Sequence, residues 1–97
     1  MTDDPDLSAY FAGFGERITT LARAHGVKVD LPNLDSRVTA ELLGLAGVVA
    51  HRAERKYAPL ASFLAGFAVG SLCSAGQLRT DGEVAAFIAQ VRTRLGD

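Results

Sequence analysis

The sequence predicts an all-α fold, a four-helix bundle with a central buried third helix. Three observations point there. Apolar residues recur at three- and four-residue steps in three separate segments, the signature of helices with one buried face. Between them, from Tyr57 to Leu78, lies a stretch without any Asp, Glu, Lys or Arg. Finally, Gly26, Pro59 and Thr80 fall where helices would have to stop or start.

The first helix is expected over 6–25. Leu7, Tyr10, Phe11, Phe14, Ile18 and Leu21 fall on one face. Gly13 and Gly15 each weaken it by about 1 kcal/mol relative to Ala, so they mark either a close neighbour or a break. Arg23 and His25 suit the negative end of the helix dipole, and Gly26 suits a left-handed cap. Val27 to Leu31 alternates as a strand would. No second strand pairs with it and Pro32 ends it, so it reads as an extended connection holding Val27, Val29 and Leu31 on the bundle. The acidic start (Asp3, Asp4, Asp6) makes residues 1–5 a disordered terminus and 6–97 a single helical domain.

The second helix is expected over 36–56, capped by Asp35 or Ser36. Val38, Leu42, Leu45, Ala46, Val49 and Ala53 form its buried face. Its end is placed near Lys56 because Pro59 disfavours helical geometry at Ala58. Pro59 in turn opens the third helix, 59–74, where its missing N–H costs nothing. Bulky Leu60, Phe63, Leu64, Phe67 and Leu72 share this helix with a ladder of small residues at Ser62, Gly66, Gly70 and Ser74. Such a ladder predicts a close helix crossing inside the domain, with a homodimer face as the alternative. The last helix, 81–95, starts at a Thr80–Glu83 capping box and aligns Val84, Phe87, Ile88, Val91 and Leu95.

The uncharged stretch is long enough to span a bilayer. Its second half is rich in Gly and Ser and contains Gln77, which leaves a strongly apolar part of core-helix length. The three amphipathic helices also need a partner to cover their apolar faces, so a buried core helix is expected and no membrane contact. A net charge of −1 excludes the basic excess of a general nucleic-acid binder. A single cysteine, Cys73, excludes an intramolecular disulfide and reads as a small buried hydrophobe. The acidic, non-apolar start does not match a secretory signal, and a cytoplasmic location is expected.

Only one cluster carries ligand chemistry: His51, Arg52, Arg55 and Lys56. On a continuous helix His51 neighbours Arg55, and Arg52 neighbours Lys56, so the group could hold a phosphate or carboxylate. The structural account is that these cations complement the dipole of a helix C-terminus, with Glu54 partly neutralising them. Two scattered histidines and one cysteine make neither a zinc site nor a catalytic pair. No enzyme, cofactor or metal is expected.

The order Val49-Ala50-His51, Arg55, Ala58-Pro59-Leu60, Phe63-Leu64-Ala65-Gly66, Ala68 and Gly70 resembles a small actinobacterial helical family of unknown function. Members of that family occur alone or fused C-terminally to molybdenum cofactor guanylyltransferase-like proteins. The resemblance covers about residues 30 to 95 and is specific over 49–70, although Lys56 and Tyr57 depart from the small or Pro residue the family often has there. It implies a helical accessory or interaction domain with an unknown protein partner, a molybdenum cofactor biosynthesis protein being the expected one. No catalytic residue is carried over.

Overall fold

A computed structural model describes residues 5–32 and 34–95. The protein is all-α, with four α-helices among the described residues: α1 (Pro5–Ala24), α2 (Ser36–Arg52), α3 (Ala58–Ser74) and α4 (Asp81–Arg94). No strand occurs among the described residues. Apart from Pro5, where α1 begins, the terminus expected to be disordered lies outside the described residues. The chain divides into two compact units, Met1–Ser36 and Arg37–Asp97.

The first unit is α1 with the extended connection that follows it. The helix runs unbroken through Gly13 and Gly15. Gly15 supplies the close approach its sequence position suggests: a Cβ there would lie 3.3 Å from Leu31 Cδ1. Gly26, at φ +80°, ends the helix in a Schellman arrangement. Its N–H donates to Arg23 O (2.8 Å) and that of Val27 to Ala22 O (3.0 Å). Tyr10, Phe11 and Phe14 form an aromatic group, with the Tyr10 and Phe11 ring centroids 5.0 Å apart edge to face.

The second unit holds α2, α3 and α4. Its core is Val38 and Leu45 from α2, Ala65 and Val69 from α3, and Val84, Ala85 and Ile88 from α4. Two contacts set α2 and α4 in the same sense. Arg37 reaches Gly82 near the start of both helices, and Arg92 reaches Gly44 and Glu41 further along. A Cβ on Gly44 would sit 3.2 Å from Arg92 Nη1, and the Arg92 Nη2–Glu41 Oε1 distance is 2.9 Å in a partly buried pair. The Thr80–Glu83 capping box forms as the sequence predicts: Glu83 N–H donates to Thr80 Oγ1 (3.1 Å) and Thr80 N–H donates to Glu83 Oε1 (3.1 Å). Gly76, at φ +78°, closes α3 by the same Schellman pattern as Gly26, with Gln77 N–H donating to Leu72 O.

Two expectations are corrected here. Helix α2 stops at Arg52, four residues short of Lys56. The backbone turns extended at Glu54 (φ −142°, ψ 148°), and a single 3-10 turn, Arg55–Tyr57, leads into α3. The second correction concerns α3, which is not the buried centre of a bundle. Leu60, Phe63, Leu64 and Phe67 are 63–70% exposed, and only Ala65 and Val69 are buried.

Candidate interaction surface

The basic cluster does not form the grouping its spacing suggests. His51 and Arg52 are in the last turn of α2, whereas Arg55 and Lys56 belong to the separate 3-10 turn. The extended residue Glu54 lies between the two pairs, so neither the His51–Arg55 nor the Arg52–Lys56 helical pairing exists. All four side chains are exposed, and Lys56 Nζ lies 3.5 Å from Glu54 Oε2.

Helix α3 carries the more informative geometry. Three- and four-residue steps divide its circumference into two sides. Toward the rest of the second unit it turns small or half-buried positions, Ala61, Ala65, Ala68, Val69 and Leu72. Toward solvent it turns Leu60, Phe63, Leu64 and Phe67 in one contiguous stripe. This inverts the usual arrangement, in which the largest apolar side chains are the ones withdrawn from water. Each such side chain gains about 1.5–3 kcal/mol when fully buried, so the stripe is a large unsatisfied driving force. The exposed apolar area is roughly 500 Å², near the top of what a monomer's largest patch presents.

The small ladder also lies on open ground. A Cβ on Gly66 or on Gly70 would meet nothing within 4 Å, so the expected intramolecular crossing at these glycines does not occur. Cys73, read from sequence as a buried hydrophobe, is exposed. The stretch Arg55–Ser74 is long and apolar enough to cross a membrane by length and composition.

A second apolar feature belongs to the first unit. An open groove of about 680 Å³ runs between α1 and the connection, lined by Phe11, Phe14, Ile18, Leu31, Pro32 and Leu34. Its walls are apolar side chains whose spacing was visible in the sequence; that they enclose a groove was not. Among the described residues, no three His, Cys, Asp or Glu side chains stand together as a metal site would require.

Two helices present bulky apolar side chains to solvent: α3, and α1 with Tyr10, Phe11, Phe14, Ile18 and Leu21. The chain belongs to the DUF6457 family, a domain of unknown function, whose family model matches residues 14–97. No match is found among the curated proteins or among the solved structures.

Proposed function

We propose that this chain is a non-catalytic, cytoplasmic accessory domain that acts by protein–protein contact through the outward face of α3. One observation carries the reading: α3 packs its small side inward and presents Leu60, Phe63, Leu64 and Phe67 to solvent. Apolar patches of this size on a helix are characteristic of interaction sites, where a groove or a second helix receives residues at three- and four-residue spacing. The neutral stretch from Tyr57 to Leu78 supports it, because docking there strips no charged group of its water.

The sequence resemblance nominates a molybdenum cofactor guanylyltransferase-like protein as the first partner to test. Calorimetric titration of the purified chain against that protein should give saturable binding, abolished by Phe63→Glu. Absence of heat with the unsubstituted chain, under conditions where the guanylyltransferase is active, refutes the molybdenum connection. For any partner, amide chemical-shift changes should centre on residues 59–71; changes confined to other helices refute the role given to α3.

A further inference from the structure

We draw no further inference here: the strongest candidate, the exposed apolar surface patch of Leu60, Phe63, Leu64 and Phe67 on the outward face of α3, belongs to the surface already described, and nothing in the structure shows what covers it.

Discussion

Truncating the most conspicuous aromatic of α3, Phe67→Ala, should barely destabilise the monomer, while enlarging its least conspicuous neighbour, Ala65→Leu, should damage it. The magnitudes come from burial. A fully buried Phe truncated to Ala costs about 3–5 kcal/mol. Phe67 is 70% exposed, so about a third of that environment is present to lose, and the expected cost is roughly 1 kcal/mol or less. Ala65 is 7% exposed, and its surroundings must yield to a larger side chain, which costs about 1–3 kcal/mol. Urea unfolding followed by circular dichroism measures both, at a concentration where the chain sediments as a monomer. That condition matters because a dimer adds concentration-dependent stability to the apparent value. A loss near 4 kcal/mol for Phe67→Ala, with Ala65→Leu close to neutral, refutes the orientation of α3 and every inference drawn from its outward face.

Four further outcomes follow from the same geometry. Thr80→Ala removes the acceptor for Glu83 N–H and should cost about 1 kcal/mol in urea unfolding. Gly26→Ala and Gly76→Ala each force a side chain into left-handed backbone and should cost about 1–2 kcal/mol each, read in the same assay. The partly buried Arg92–Glu41 pair should show a coupling energy of about 0.5–1 kcal/mol in a double-mutant cycle, reduced by salt, whereas Lys56→Ala, which breaks an exposed pair, should change stability by less than about 0.5 kcal/mol. Titration with inorganic phosphate, followed by amide shifts, should give no saturable change at His51, Arg52, Arg55 or Lys56, because these residues are split between two elements and converge on no cradle.

What the sequence disclosed was the local chemistry. Thr80 and Glu83 announced the start of α4, Gly26 the end of α1, and the spacing of Val38 with Leu45 and of Val84 with Ile88 located four core residues. Of the two readings open at Gly13 and Gly15, a close neighbour or a break, the structure shows a close neighbour at Gly15, Leu31, and none at Gly13. The end of α2 was misplaced because it was read from Pro59, which does not keep even Ala58 out of helical geometry: Ala58 (φ −58°, ψ −49°) is the first residue of α3. The break falls earlier, at Glu54, and no residue type there signals it.

The orientation of α3 was not legible for a different reason. An amphipathic pattern gives both the period of a helix and the side that faces inward. A helix apolar all round gives only the period. Burial on all sides was the expectation, and it is not met: Phe63 and Phe67 lie outward, while Ala65 and Val69 are the buried residues of the helix. The pairings expected within the basic cluster are interrupted by the same broken helix, since they depended on α2 continuing to Lys56.

Thiol reactivity tests the orientation of α3 most directly. With Cys73 replaced by Ser, a cysteine is placed in turn by Phe67→Cys and by Ala65→Cys, and each is reacted with a chromogenic disulfide reagent in native buffer over a dilution series. The geometry predicts that the thiol at position 67 reacts in dilute solution at nearly the rate of the unfolded chain, while the thiol at 65 stays protected throughout. Equal protection of both at every dilution would contradict it.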